Sequence, residues 1–182
     1  MLACDFFHAG CAVTLRRVCV FFVIEAGARH VHVPGVTARP DGAWTVRQAR
    51  NLLTGLGERA GFRFLVRDRA GRFTGASGAV LSAAGVEVAR IPPRSLGADA
   101  RAGRWVRAVR AEVTGRMLVA GPRYLRAVPG GYVAHYNQHR PQRAMDLRPP
   151  DGGGAPVADL ATARIRRHKV LGGLIHKYER AA

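Results

Sequence analysis

The sequence has 182 residues, 48% of them hydrophobic, which is enough for one domain with a real core plus a tail. It carries 29 Lys and Arg residues against 12 Asp and Glu residues, and the resulting formal charge of +17 favours a polyanionic partner, nucleic acid first. A genome rich in G and C would explain part of the Arg content, but it would not explain the shortage of acids.

Several classes of protein are disfavoured. The three cysteines form no CxxC pair, so we expect reduced thiols in a cytoplasmic protein rather than a disulfide scaffold. His30 and His32 alternate on a predicted strand with no Cys or acid at ligand spacing, which argues against a zinc site. No apolar run reaches the length of a membrane span, and Asp5 and His8 interrupt the opening run where a signal peptide would be apolar.

Three strands are expected first. The opening residues resemble a strand that is entered in its middle, as if upstream sequence were missing. The second strand is predicted over 14–25 and the third over 29–36, with a turn at 26–28 between them. Together these strands would form an antiparallel meander.

Helices and strands then alternate along the chain. We predict a helix over 46–59 with Thr45 as its N-cap and Gly61 at its end, a strand over 64–66, a helix over 76–84 ended by Gly85, and a strand over 86–91. This order is typical of an α/β fold with a mixed sheet.

Two further helices and a basic segment complete the chain. One helix is predicted over 99–118, and another over 123–138 should kink or break at Pro129-Gly130-Gly131. The domain organisation predicted from these elements is a core domain over 1–148, a Gly/Pro linker over 149–157 and a basic tail over 158–182. The tail ends in a short amphipathic piece.

Two aspartates stand at the ends of predicted strands. Asp5 follows the opening apolar residues, and Asp68 follows the strand over 64–66, just before a Gly-containing turn. Divalent cations such as Mg²⁺ prefer carboxylate oxygens, and a rigid strand end holds a carboxylate in place beside a solvated loop. The two carboxylates could hold a cation between them; alternatively, each Asp is only a turn or cap residue.

The chain also resembles a known family. The resemblance rests on the strand order, Asp5, the RDRAGRFT context of Asp68, and the segments IPPRS, RWVRAVRAEV and HYNQHRPQRAMDLRPP, in which YNxxRP is the most specific marker. Together they resemble the integrase catalytic core of bacterial insertion-sequence transposases, in the retroviral-integrase-like superfamily. The resemblance covers residues 2–150 and implies a ribonuclease-H-like fold, with a mixed five-stranded sheet flanked by helices.

The resemblance implies a chemistry as well. In the family, two Asp and one Glu hold two Mg²⁺ or Mn²⁺ ions about 4 Å apart for phosphoryl transfer on DNA. Asp5 matches the first acid and Asp68 the second. The Glu should stand two residues before Trp105, where this chain has Gly103. We therefore expect weak metal binding and impaired catalysis.

Neither of two nearby acids is expected to replace the Glu. Glu112 lies about 180° around an ideal helix from position 103 and roughly 13 Å along its axis. Asp99 lies on nearly the same face as position 103, but about 6 Å closer to the helix start. Its better role is that of helix N-cap.

DNA is the partner that the resemblance implies, and a homo-oligomer is compatible with it. Six arginines are assigned to phosphate contacts, although a solvated charged face is the simpler alternative: Arg94, Arg104, Arg107, Arg110, Arg140 and Arg143. Three functions stay open. They are an impaired transposase core, a non-catalytic nucleic-acid-binding remnant of one, and an unrelated basic RNA-binding protein.

Overall fold

The computed structural model describes residues 1–10, 17–57, 61–69, 71–91, 100–116, 122–152 and 164–180. Arg94, Asp99 and most of the predicted linker lie outside these ranges. None of the described helices has the length and apolarity needed to cross a membrane.

Five strands form one mixed sheet in the order β3-β2-β1-β4-β5. They are β1 (Leu2–Gly10), β2 (Arg17–Glu25), β3 (Val31–Thr37), β4 (Phe64–Arg67) and β5 (Glu87–Arg90). The first three pair antiparallel, which confirms the predicted meander, while β4 pairs parallel with both β1 and β5. Chain segments that are distant in sequence therefore meet at the β1–β4 pair.

Helices cover both faces of this sheet. They are α1 (Gly42–Leu56), α2 (Gly75–Ala83), α3 (Ala100–Val109), which continues into a π-helical segment at Arg110–Thr114, and α4 (Pro122–His139). One core cluster joins α1 and α2 to one face, and a second joins α3, the π-helical segment and α4 to the other. The sheet is thus buried between two helical layers, as the α/β order predicts.

The start of α1 differs from the prediction. The Asp41 carboxylate accepts a hydrogen bond from the Trp44 N–H at 2.7 Å, so Asp41 rather than Thr45 is the N-cap. Thr45 is buried in the first turn, where its hydroxyl donates to the Asp41 carbonyl at 2.9 Å. The helix ends at Leu56, and Gly57 rather than the predicted Gly61 stops it, because the backbone at Gly57 adopts a positive φ of 47°.

Of the predicted kink or break at Pro129-Gly130-Gly131, the break is wrong, because α4 runs through Pro129. Val128, Tyr132 and Tyr136 recur at helical spacing and are all buried in the core shared with α3. Packing of this apolar face outweighs the local cost of the proline, as tertiary contacts commonly do for helices.

The carboxyl-terminal basic segment forms an antiparallel hairpin. Its strands are β6 (Ile165–Val170) and β7 (Ile175–Arg180), joined by a 3₁₀ turn at Leu171–Gly173. Ile175 is buried in the α3–α4 core. The amphipathic piece predicted here is therefore the turn and second strand of a hairpin that packs on the core.

Candidate functional site

Asp5 and Asp68 lie side by side at the β1–β4 pair. Cys4 and Arg67 are the last residues paired in parallel register, and each aspartate is the next residue along its own chain segment. Residues in register on neighbouring strands, about 4.8 Å apart, project from the same face of the sheet. The fold therefore brings together the two carboxylates that the sequence places 63 positions apart (68 − 5).

The surroundings of Asp5 oppose its ionisation. Partial burial is the main cause of a raised pKa for this carboxyl. The Phe6 N–H, which donates to Asp5 Oδ1 at 2.6 Å, acts in the opposite direction, and the nearby Asp68 raises the pKa further. The shift has the direction expected for two neighbouring carboxylates, but desolvation contributes more than repulsion.

Helix α3 crosses the face of the sheet that carries the aspartates. Phe22 lies opposite Asp5 in the β1–β2 register, and Phe7 lies two residues further along β1. The Trp105 ring packs on both, with centroid distances of 4.3 Å to Phe22 and 5.5 Å to Phe7. Trp105 is a central core residue with 2% exposure, so it fixes the height and rotation of α3 over the site.

Gly103, two residues before Trp105, is exposed at the position expected for the third acid. A Cβ built at this position would meet no heavy atom of the described residues outside the helix within 4 Å, so the described part of the chain leaves room for a side chain to begin there. Among the described residues, no group of three or more His, Cys, Asp or Glu is arranged to hold a metal ion. By ligand chemistry, Asp5 and Asp68 alone suit one divalent cation held by few protein oxygens.

Glu112 is held by α4 and by the residue that follows it. It accepts hydrogen bonds from Arg140 Nη2 at 2.7 Å, from Arg140 Nε at 3.2 Å and from the Tyr132 hydroxyl at 2.8 Å. Glu112 lies in the π-helical segment, which departs from the ideal helix used for the prediction, and its carboxylate is engaged by Tyr132 and Arg140. Burial, followed by the bond to Glu112, raises the pKa of Tyr132 well above its usual value.

The arginines assigned to phosphate contacts fall into two groups. Those on α3, at the start of the π-helical segment and in the 3₁₀ turn Arg143–Met145 are exposed: Arg104, Arg107, Arg110 and Arg143. Arg140 is half-buried, paired with Glu112, and lies 5.5 Å from the centre of the Tyr136 ring. Its charge is thus largely compensated inside the protein.

One arginine near the aspartates, Arg72, was not identified from the sequence. Arg72 contacts His8 Nε2 at 3.2 Å and Cys19 Sγ at 3.6 Å, and its charge lowers the burial-raised pKa of Asp5. Burial, followed by the charges of Arg72, Arg17 and Arg110, lowers the pKa of His8. The carboxyl end of β1 is therefore surrounded by positive charge. The position of Arg72 four residues after Asp68 was the signal available in the sequence.

No family model matches the sequence, and no curated protein matches it. Solved structures do. The HTLV-2 integrase catalytic core domain in complex with magnesium superposes with a TM-score of 0.62 at 8% identity, over 83% of this chain and 92% of that chain. The BIV integrase catalytic core domain gives a TM-score of 0.56 at 14% identity, over 82% and 90%.

A third similar structure is the simian T-cell lymphotropic virus intasome in complex with PP2A regulatory subunit B56 gamma. Its matching chain gives a TM-score of 0.63 at 8% identity, over all of this chain and 66% of that one. At such identities the similarity concerns the fold. The chain therefore has the ribonuclease-H-like fold of the retroviral integrase catalytic cores, with a mixed five-stranded sheet flanked by helices.

Proposed function

We propose that this chain is a bacterial transposase/integrase-type core that binds DNA, and that its strand-cutting chemistry is impaired because Gly103 stands where the third acid is needed. One observation carries the proposal. Asp5 and Asp68 lie in register on the face crossed by α3, and position 103 on that helix is exposed and lacks a ligand.

Asp5 and Asp68 would hold Mg²⁺ or Mn²⁺, whose Lewis acidity would polarise a phosphodiester. The chain's own contacts position these carboxylates. Arg67 Nη1 donates to the Asp68 carbonyl at 3.0 Å, and the Phe6 N–H holds Asp5 Oδ1. With only two carboxylates, one of them partly buried, we expect at most one cation at about millimolar affinity.

The DNA-binding part of the proposal rests on exposed cations. Arg104, Arg107 and Arg110 follow position 103 along α3 and the π-helical segment, and a net charge of +17 adds long-range attraction to a polyanion. Contacts of this kind hold phosphates and read little sequence. A second copy of the chain is a further proposed partner, since the HTLV-2 core is described in a dimeric form.

The test combines binding and cleavage with the full chain. We expect duplex DNA to bind, Asp5→Asn to bind equally well or slightly better, and neither protein to nick supercoiled plasmid efficiently in Mg²⁺ or Mn²⁺. Absence of DNA binding at low salt would contradict the proposal. So would efficient metal-dependent nicking by the natural chain.

The second candidate is a non-catalytic nucleic-acid-binding remnant with the same fold. It is favoured by the exposed glycine at position 103, which supplies no ligand and weakens the helix by about 1 kcal/mol relative to Ala. Slow nicking that Asp5→Asn abolishes would favour the impaired enzyme. DNA binding with no nicking above the Asp5→Asn background would favour the remnant.

A further inference from the structure

We propose that a cleft beside α3 binds a compact ligand with clustered phosphates, at a site separate from the aspartate pair. The cleft has a volume of about 340 Å³ and lies between α3, the segment around the end of α4 and the β2–β3 turn. Five arginines line it: Arg29, Arg101, Arg104, Arg107 and Arg140. Its other lining residues are uncharged, so none of the described residues that line it is an acid.

Most of the cleft lies on a different side of α3 from position 103. At about 100° per residue, Arg104 points about 100° and Arg101 about 160° around the helix from Gly103, while Arg107, at about 40°, is the lining arginine on α3 nearest to the direction of position 103. The residues that close the cleft opposite α3, Tyr136 and Arg140, belong to α4 and the turn after it. Binding here would therefore leave the aspartate face of the helix free.

The positive charge of the cleft is mostly uncompensated. Of its five arginines, only Arg140 forms a salt bridge with a described acid, Glu112 at 2.7 Å. Like charges gathered in one concave site repel one another and concentrate positive potential, which an anion would relieve. Guanidinium groups suit phosphate in particular, because their planar N–H pairs can bind two oxygens at once.

The wall of the cleft also contains two buried donors that have no acceptor of good geometry among the described residues. Trp105 is 2% exposed, and its indole Nε1 is buried without a hydrogen-bond partner among the described residues. Gln142 is 6% exposed, and its Nε2 likewise makes no hydrogen bond of good geometry, although the amide lies near the Tyr136 hydroxyl. Buried N–H groups without partners are uncommon, and here both belong to residues that line an arginine cleft.

The backbone at Arg29 supports the same conclusion. This residue adopts a left-handed conformation with φ of 58°, which costs a non-glycine residue about 1 kcal/mol. Its N–H donates to the Glu25 carbonyl at 2.8 Å, closing the β2–β3 turn. Gly would fit this turn at lower cost, so the presence of Arg favours a role for its side chain in the cleft.

The volume of the cleft limits the size of the ligand. A cleft of about 340 Å³ is near the small end of ligand sites and suits a short polyphosphate better than a length of duplex. Clustered phosphates have two sources: a free polyphosphate, or the phosphorylated end of a nucleic-acid strand. The inference does not rest on the proposed function, and its test uses neither metal nor duplex DNA.

The test is calorimetric titration with sodium tripolyphosphate at constant ionic strength and without divalent cations. We expect one saturable site in the natural chain. The double variant Arg101→Ala/Arg104→Ala should weaken it by about tenfold or more, because charge-assisted hydrogen bonds are lost. Both arginines are exposed, so the variant should fold.

The matched control is Arg47→Ala/Arg50→Ala, which removes the same charge from exposed positions on α1. It should change the affinity by less than about twofold if the cleft is the site. Absence of saturable binding, or equal losses in the two double variants, would overturn the proposal. An oligonucleotide with a 5′-phosphate that competes better than its 5′-hydroxyl counterpart identifies a strand end as the source, and equal competition identifies a free polyphosphate.

Discussion

Asn137 on α4 makes two hydrogen bonds to the backbone of Val31 at the start of β3. Its Nδ2 donates to the Val31 carbonyl at 2.8 Å, and its Oδ1 accepts from the Val31 N–H at 2.9 Å. Both residues are buried, at 5% and 1% exposure. Asn137, the Asn of the YNxxRP segment, thus links α4 to β3, an edge strand of the sheet.

Asn137→Ala should therefore destabilise the fold. Two buried backbone groups would lose their partners, so we expect the free energy of unfolding in urea to fall by about 2–4 kcal/mol. Asn51→Ala, at an exposed position on α1, is the control and should change it by less than about 0.5 kcal/mol. Equal effects of the two substitutions would contradict the structural role of Asn137.

The Glu112–Arg140 pair should be coupled energetically. Both side chains are about one-third exposed, at 29% and 31%, so solvent screens the pair and its contribution should be about 1 kcal/mol. We expect Glu112→Gln and Arg140→Gln each to lower the free energy of unfolding. The double variant should lower it by less than the sum of the two single effects. Strict additivity in this double-mutant cycle would show that the pair contributes nothing to the fold.

Asp5→Asn should stabilise the protein at neutral pH. Burial raises the pKa of Asp5 in the folded state, so the folded state binds a proton more tightly than the unfolded state does. Stability is therefore lost as pH rises through the window between the unfolded and folded pKa values, and the ionised carboxylate is unfavourable at pH 7. The gain from Asn, about 0.5–2 kcal/mol, should be present at pH 7 and disappear at acid pH below both pKa values.

Thermal melts across pH check this expectation, with Asp146→Asn as the exposed control. Asn tolerates the positive φ of 50° at position 146, so this control removes one carboxylate without straining the backbone. Added Mg²⁺ should raise the melting temperature of the natural chain more than that of Asp5→Asn. If the stability gained from Asp5→Asn became larger as the pH falls, the prediction would be contradicted.

DNA binding should depend steeply on salt. Each arginine that contacts a phosphate contributes about 0.9 to the slope of log K against log salt. Arg107→Ala and Arg110→Ala should each lower the slope by about that amount, whereas Arg50→Ala on α1 should leave it nearly unchanged. Binding that stays constant between low and physiological salt would exclude phosphate contacts as its basis.

Much of the fold could be predicted from the sequence because the local signals agree with the tertiary structure. A run rich in Val and Phe predicts β2, alternation of apolar residues predicts β3, and Gly85, with φ of +77°, follows α2 as expected. The elements that were predicted incorrectly are those whose conformation depends on tertiary packing. Pro129 stays within α4 because the residues around it are buried, and the basic hairpin exists because Ile175 reaches the core.

In the candidate site, too, local sequence signals indicate some residues, and only the packed fold reveals the others. Asp68 directly follows β4 as expected, whereas Asp5 lies inside β1 rather than at its end, because β1 continues to Gly10. The parallel register of β1 and β4 is what brings the two residues together. The arginine cleft could not be predicted. Arg29, Arg101 and Arg140 belong to a turn, α3 and the segment after α4, so only the packed fold makes them neighbours.

The central claim is that position 103 is where the missing acid belongs. Gly103→Glu should introduce a third carboxylate into open space, and Gly103→Gln is the matched control. Both replacements improve on Gly by nearly 1 kcal/mol of helix propensity. Stability alone therefore cannot separate them, whereas the charge and the metal-ligand set differ.

The decisive measurement is nicking of supercoiled plasmid in Mg²⁺ or Mn²⁺ by these two variants and the natural chain. The account predicts nicking by Gly103→Glu that is lost on adding Asp5→Asn or withdrawing the metal, and at most slow nicking by Gly103→Gln and the natural chain. If the natural chain cleaves, and Asp99→Ala abolishes that cleavage, the third acid is Asp99 and the assignment of position 103 is wrong.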